Sequence, residues 1–309
     1  MKKAQPGILQ AVPRQARYLM FSFRPGGGVG ETLEAFAATV DGEKTVVGLG
    51  LSLVHHLKGN IPGLGVFPAR SVNGIDIPST PYALCCWLRG DDRGELVHQT
   101  RRIRRQLEPA FHCEQVIDAF QYGPSLDLTG YEDGTENPQD EDAVKAALVQ
   151  GKQPGLNGSS FLALQQWVHD LDRFQAMPTG AQDDSIGRRK SDNEELDDAP
   201  DSAHVKRTAQ EDFEPEAFIL RRSMPWANEH HEGLMFAAFG HSFAAFEALL
   251  ERMLGMDDGI TDALFDFTRP VTGSYFWCPP VHDGRLDLRA VIQADSGCCS
   301  GNNGGACCD

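Results

Sequence analysis

The chain has 309 residues, with 44 acidic against 28 Lys and Arg side chains, a net charge of −16 and an ordinary hydrophobic share. That length can bury a substantial core, as one large domain or two ordinary ones. The charge excludes nucleic acid and anionic membrane surfaces as main partners, because both would repel it, and no apolar run has the length to span a bilayer.

The start, Met1-Lys2-Lys3-Ala4-Gln5-Pro6, carries some positive charge but no apolar h-region and no twin-arginine pattern, so a cytoplasmic location is expected. Ala16 to Phe23 reads as a buried strand, and a helix opens near Gly30. Gly26 to Gly30 lies where a phosphate loop would sit. Glu31 takes the place of the third glycine of G-x-G-x-x-G, and an acid there would repel a pyrophosphate, so a flexible turn is the better account. Thr45 to Leu51 and Pro81 to Gly90 read as further strands. Glu95 to Leu107 reads as a helix with Val97, Ile103 and Leu107 on its apolar face. Its Arg101, Arg102, Arg104 and Arg105 read as a solvated face. Glu114 to Phe120 is strand-like.

The next stretch, Gly130-Tyr131-Glu132-Asp133-Gly134-Thr135-Glu136-Asn137-Pro138, packs two glycines, an Asn-Pro and three carboxylates into nine residues. It cannot be regular helix or strand, since Gly, Asp, Asn and Pro each favour turns. Asp133-Gly134 places an acid beside a residue free to take positive φ, which can aim the carboxylate sharply. On residues alone, an acidic surface loop and a carboxylate turned toward a cavity both stay open.

From Asn137 to Gly158 the composition is that of a linker, with helical Glu141 to Val149 inside it. Ser160 to Val168 reads as a strand, Asp170 to Met177 as a helix, and Thr179 to Pro200 as a long charged loop. Gly233 to Gly240 is a strand, followed by a helix from Ser242 to Met253 with Phe243, Phe246, Leu249, Leu250 and Met253 on one side. The two halves share a strand-helix-strand-strand-helix plan. They suggest an α+β fold of two duplicated ferredoxin-like modules with antiparallel sheets flanked by helices. The expected division is 1–145, 146–296 and a Cys/Gly-rich tail over 297–309. Cys85, Cys86, Cys113 and Cys278 read as reduced thiols. The tail pairs Cys298-Cys299 and Cys307-Cys308 lack the Cys-x-x-Cys spacing of zinc sites, and the tail reads as disordered or a tag.

Gly-Tyr-Glu-Asp-Gly-Thr-Glu-Asn-Pro resembles the GxxDG signature of the dye-decolourising peroxidases, a haem enzyme family, in its bacterial B-type form. Ile186-Gly187-Arg188, Pro200 to Arg207, Ile219 to Pro225, Leu264 to Thr268 and Val271 to Phe276 resemble the family's other haem-pocket segments in the same order. The similarity runs roughly from Ala16 to Pro280. It implies two packed ferredoxin-like modules, with haem b held mainly by the second.

The resemblance also implies roles. His204, one of ten histidines, matches the proximal haem ligand, and a neutral imidazole on iron is the ligation of globins and peroxidases. Asp266 matches the carboxylate that takes that ligand's other ring N–H. Asp133 matches the distal acid–base and Arg221 the distal cation. Ser223 stands where members carry Asn or Ser. Arg207 and Arg188 are candidates for the haem propionates, with Ile186 and Gly187 beside Arg188, and Leu234 and Phe236 for the apolar distal wall. His230 and His231 lack the spacing of H-E-x-x-H and read as a surface loop. Trp87, Trp167, Trp226 and Trp277 read as packing residues.

The implied function is peroxidase chemistry, in which hydrogen peroxide makes a ferryl intermediate that small aromatic reductants such as dyes or phenols return to rest. A non-enzymatic haem-binding or haem-handling protein is the alternative. A homo-oligomer is implied. The tail shows no apolar sequence that would dock an encapsulin.

Overall fold

The computed structural model describes residues 3–151 and 153–292. The 297–309 segment and its four cysteines lie outside the described residues. The first half runs β1 (Gln15–Phe23), α1 (Val29–Ala37), β2 (Thr45–Leu49), β3 (Leu84–Gly90), α2 (Arg93–Leu107) and β4 (Phe111–Phe120). A helix α3 (Asp140–Ala147) follows. The second half opens with β5 (Ser160–His169) and three short helices, α4 (Leu171–Ala176), α5 (Thr179–Ile186) and α6 (His204–Arg207). It ends with β6 (Leu220–Arg221), β7 (Met224–Ala227), β8 (Glu232–Gly240), α7 (Ala244–Met253), β9 (Thr268–Pro270) and β10 (Ser274–Cys278).

The strands pair antiparallel in the order β2-β3-β1-β4 in the first half and β7-β8-β5-β10 in the second. The two groups meet at Ala119↔Trp226, between β4 and β7, and at Trp277↔Leu49, between β10 and β2. The sheet of eight strands is therefore closed, which removes its free edges. Strands β9 and β6 add short outer pairings, to β5 at Thr268↔His169 and to β8 at Ala238↔Arg221.

Closure divides side chains by parity, because successive residues of a strand point to opposite faces. All eight strands contribute to one enclosed cluster, including Tyr18, Met20, Trp87, Leu164, Trp226, Met235, Ala237, Phe239 and Phe276. The alternate residues face outward. In the first half Leu19, Phe21, Cys86 and Leu88 meet α1 and α2 through Leu33, Phe36, Leu96, Ile103 and Leu107. In α2 the buried stripe is Leu96, Thr100, Ile103 and Leu107. Val97 is not on it and is exposed, because the i, i+4, i+7 stripe passes one residue earlier. Arg101, Arg102, Arg104 and Arg105 of α2 are exposed.

Three further stretches differ from expectation. Thr179 to Pro200 is not all loop, since α5 occupies its first eight residues. The segment after Asn137 is not a free linker: Ala143, Ala147 and Leu148 of the α3 region pack into the enclosed cluster. The Gly26 to Gly30 turn is pinned at one point rather than loose throughout, because a Cβ on Gly27 would lie 2.2 Å from the Pro109 carbonyl oxygen, while Gly26 has open space around it. Cys85, Cys86, Cys113 and Cys278 are free thiols. Among the described residues no helix is long and apolar enough to cross a membrane.

Candidate functional site

The outward face of the second half is not closed over. Gln165, Trp167 and His169 of β5, with Leu234 and Phe236 of β8, line a large cavity beneath Phe246, Leu249, Leu250 and Met253 of α7. The cavity encloses about 1510 Å³ of empty space, counting its open mouth. Its remaining walls come from residues 127–136, the ends of α5 and α6, Arg221, and Leu264 to Thr268. Glu132, Glu136, Glu195 and Glu211 are exposed and stand at the mouth.

His204 opens α6 and lines this cavity. Its Nδ1 lies 2.8 Å from Oδ2 of Asp262, a carboxylate with no exposed surface. The other carboxylate oxygen, Oδ1, accepts the Leu264 N–H at 2.8 Å and so caps the turn Ala263–Asp266. A carboxylate only accepts, so the proton of this contact sits on Nδ1, and in the neutral ring Nε2 is left with its lone pair. Asp266 does not take this part. Its side chain is 68% exposed and lies 3.9 Å from Arg173. In the 263–266 turn the cap position faces inward and the last residue faces solvent.

On another wall, Asp133 Oδ1 and Arg221 Nη1 stand 3.7 Å apart, both partly buried. The local chain explains the placement of each. Residues 122–133 form a small hairpin with bridges Tyr122↔Leu126 and Leu126↔Glu132, and Asp133 N–H donates to Ser125 O at 2.9 Å. Gly134 then takes φ +82, the left-handed turn that Asp-Gly permits, and a Cβ there would meet Asn137 Nδ2 at 2.7 Å. Asn137 clips the loop to β6: its Oδ1 accepts Arg221 N–H at 2.7 Å and its Nδ2 donates to Arg221 O at 3.2 Å. Gln210 makes a similar tie, donating to Glu136 O and accepting from Ile219 N–H. Arg222 points away from the cavity, donating to the carbonyls of Ile8 and Leu9. Burial, with Arg89 nearby, pulls its pKa down to about 10.

Other candidates divide. Ile186, Arg188, Leu234 and Phe236 line the cavity. Arg188 already meets Glu136 at 2.6 Å and Glu195 at 3.2 Å. Gly187 does not line the cavity. At φ +91 it ends α5, and its missing Cβ lets that end approach Ala203 and Val205 beside His204. Arg207 is a correction: it is buried away from the cavity in a two-pronged pair with Asp258, at 2.6 and 2.8 Å. The Arg207 bonds hold the Asp258 carboxyl down at about 2. Ser223 is another: its buried hydroxyl sits 3.4 Å from the Ala237 N–H, against β8 rather than in the cavity. His230 is exposed, and among the described residues no group of three or more His, Cys, Asp and Glu could hold a metal ion.

The sequence reading missed Asp262, Asn137, and a hydrogen-bonded trio of His169, Asp127 and Thr268 on the cavity wall. An acid preceding a short apolar turn was the available sign for Asp262, and Asn137 lay inside the quoted motif. Of the four tryptophans, Trp87 and Trp226 lie in the enclosed cluster and Trp277 in the outward core, whereas Trp167 lines the cavity. Its Nε1 and Gln165 Nε2 are buried without a hydrogen-bond partner. Buried donors of this kind are normally satisfied, so the cavity wall carries polar atoms suited to a guest.

Haem fits these residues. One imidazole nitrogen is free while its partner nitrogen is anchored by a buried carboxylate, which is how a metal-ligating histidine is usually held. The α7 side is apolar, as a macrocycle requires, and Arg188 is a cation at the wall for an anionic substituent.

A family profile described as "Dyp-type peroxidase, C-terminal" matches residues 125–283, just over half of the chain. A "Dye-decolorizing peroxidase" of Mycolicibacterium paratuberculosis is 31% identical over 210 residues, covering 66% of this chain and 59% of that protein. The chain thus spans about three fifths of the length of the first curated relatives it matches. Among solved structures, a dye-decolorizing protein from Vibrio cholerae superposes with a TM-score of 0.80 at 29% identity, covering 88% of this chain and 96% of that one. A variant of DypB from Rhodococcus jostii RHA1, solved in complex with heme, superposes with a TM-score of 0.82 at 26% identity, covering 88% and 94%.

Proposed function

The chain belongs to the Dyp-type peroxidase family, and on that premise we propose that it is a haem-dependent peroxidase, reducing hydrogen peroxide while oxidising dyes, phenols or other one-electron donors. One arrangement carries the reading. A single cavity holds His204, anchored through Nδ1 to buried Asp262, and, on another wall, the Asp133–Arg221 pair at 3.7 Å. A pocket built only to store or pass on haem needs no acid–cation pair in its wall.

Haem b, when bound, would supply the redox chemistry, passing two electrons to peroxide and recovering them one at a time from the reducing substrate. The chain's own residues do the rest. His204 presents Nε2 as the ligand, with the ring fixed and made more electron-rich by the Nδ1–H···Asp262 bond. Asp133 takes a proton from one peroxide oxygen and returns it to the other, directly or through one water. Arg221 stays charged in a partly dry wall and stabilises the negative charge that grows on the departing oxygen. Arg188 meets a propionate, and Leu234 and Phe236 keep the wall apolar. The strand order shared by the two halves supports the reading of duplicated ferredoxin-like modules. The cavity's lining supports haem held mainly by the second.

Absorption spectra of haem-loaded protein before and after one equivalent of peroxide test this. His204→Ala is expected to lose the histidine-ligated spectrum. Asp133→Asn is expected to keep haem and slow the peroxide reaction by about 10²–10⁴-fold, and Arg221→Leu by about 10²–10³-fold. Full peroxide reactivity in either variant removes that residue from its role. Firm haem binding in the wild type with no peroxide response would leave the haem-handling alternative, and no haem binding would sink both.

A further inference from the structure

We propose that His169 is a positioning residue for Asp133: with Asp127 and Thr268 it clips the 122–133 hairpin to the barrel and so fixes where the distal carboxylate stands. The inference rests on the role given above to Asp133. It starts from a buried histidine and a partly buried acid in the cavity wall that the proposed chemistry does not use.

His169 ends β5 on the same outward face as Gln165 and Trp167, and only 6% of its side chain is exposed. Its Nδ1 is 2.6 Å from Thr268 Oγ1, on the neighbouring strand β9, and its Nε2 is 3.0 Å from Asp127 Oδ2. The Asp127 carboxylate cannot donate, so Nε2 carries a proton. The Thr268 hydroxyl has one hydrogen and two acceptors in reach, Nδ1 and the Val168 carbonyl at 3.1 Å. Given to Nδ1, that hydrogen leaves the ring neutral; given to Val168, it leaves the ring cationic. The bond to Asp127 is the same in both. Burial alone would raise the Asp127 pKa, but the bonds from His169 and Thr129 outweigh it and hold the group below its ordinary value.

With both ring nitrogens committed, His169 offers no lone pair to the cavity. It acts through what it holds. Asp127 occupies the turn of the hairpin: Oδ1 accepts the Thr129 N–H at 2.8 Å, its carbonyl accepts the Gly130 N–H at 2.8 Å, and its own N–H donates to Tyr131 O at 2.8 Å. Two residues earlier, Ser125 O holds the Asp133 N–H across the ladder. Displacing Asp127 therefore displaces the strand pair that carries Asp133. The other ties of the turn, Lys190 to Thr129 O and Tyr131 to Asp183, run to α5 and the segment after it. Asn137 fixes the far end of the loop on β6. His169 supplies the anchor on β5, and Asp133 is held between the two.

The test uses the full chain with His169→Phe, which removes both bonds, His169→Gln, which keeps a donor, and Asp127→Asn, which is nearly isosteric and guards against failure of the first variant to fold. Without haem, amide hydrogen exchange at Gly130 and Asp133 is expected to quicken about tenfold or more in His169→Phe and Asp127→Asn, the loss of one charge-assisted bond, with the β1 and β3 amides unchanged. With haem, the peroxide rate constant should fall about tenfold, while haem affinity and the half-saturating reductant concentration hold, and His169→Gln should recover most of it. Wild-type exchange in the hairpin of both variants would overturn the clip. Quickened exchange with an unchanged peroxide rate would overturn the positioning role. If wild-type haem protein ignores peroxide, the peroxidase reading fails, and the exchange measurement still decides the clip.

Discussion

Asp262→Asn separates the carboxylate seen beside His204 from the one that motif matching selects. Asp262 is fully buried, and it uses both oxygens: Oδ2 toward His204 Nδ1 at 2.8 Å and Oδ1 toward Leu264 N–H at 2.8 Å. Asparagine has one acceptor oxygen, so it satisfies one of these donors and sets its NH₂ against the other. The loss of one charge-assisted hydrogen bond in a closed site is worth about 1.5–3 kcal/mol, read as a drop in urea unfolding free energy. Removing the partner of a ligating histidine costs about 10–100-fold in affinity, read by haem titration. A less electron-rich imidazole should also raise the haem reduction potential, measured by redox titration. The control is Asp266→Asn, whose side chain is 68% exposed and only grazes Arg173 at 3.9 Å. It should leave stability within about 0.5 kcal/mol of wild type and leave affinity and potential alone. If Asp266→Asn shifted the potential and Asp262→Asn did not, the assignment of the anchor would be wrong.

Gly134→Ala forces an L side chain into φ +82 and drives a Cβ to 2.7 Å from Asn137 Nδ2. A cost of about 1–2 kcal/mol is expected in denaturant unfolding, together with a slower peroxide reaction as Asn137 loses its hold on Arg221. The bonds from His169 and Thr129 hold the Asp127 carboxyl below its ordinary value, so its stabilising contribution is complete above about pH 4 and is lost as pH falls through the folded value. Urea titrations between pH 6 and pH 2.5 should show a steeper acid loss in wild type than in Asp127→Asn. Arg207→Ala breaks the pair with Asp258 and should lower the melting temperature while haem titration stays at the wild-type value. A fall in haem affinity equal to that of Arg188→Ala would return Arg207 to the site.

What the sequence made legible follows from how much local geometry each inference needed. Strand alternation at Ala16 to Phe23 and Gly233 to Gly240 set both the elements and the split between enclosed and outward residues. That Asp133, His204 and Arg221 belong together was legible because each sits inside a distinctive run of residues, and the three line one cavity. The misses share a cause. Asp262 and Asp266 bracket a single 3-10 turn, and no pattern at that length says which end faces inward. Arg207 stands three residues after His204, one turn along a regular helix, but Asp258, some fifty residues on, claims its guanidinium. Ser223 keeps the outward parity of Arg221, since Leu220, Met224 and Trp226 all turn inward, but its hydroxyl lies against the Ala237 N–H and outside the cavity lining, which parity alone does not tell. His169 read as the end of a strand, and only the pairing of β5 with β9 brings Thr268 to its ring.

The location of the cavity follows from the difference between the two halves. The closed sheet fills its own interior with Trp87, Met235, Phe239 and Phe276, so a guest of any size must lie on the outward face. In the first half one helix, α1, links β1 to β2 and, with α2, buries that face. In the second half the corresponding link runs from Asp170 to Ser223, and instead of one covering helix it holds three short ones with long turns between them. Short helices cannot cover the face, which leaves Gln165, Trp167, His169, Leu234 and Phe236 as a wall. The same lengthened link delivers His204 and, at its end, Arg221. The uncovered wall and two of the three principal side chains are therefore consequences of one change in connectivity. The third, Asp133, comes from the segment that joins the halves, so the site is complete only when both halves are folded together.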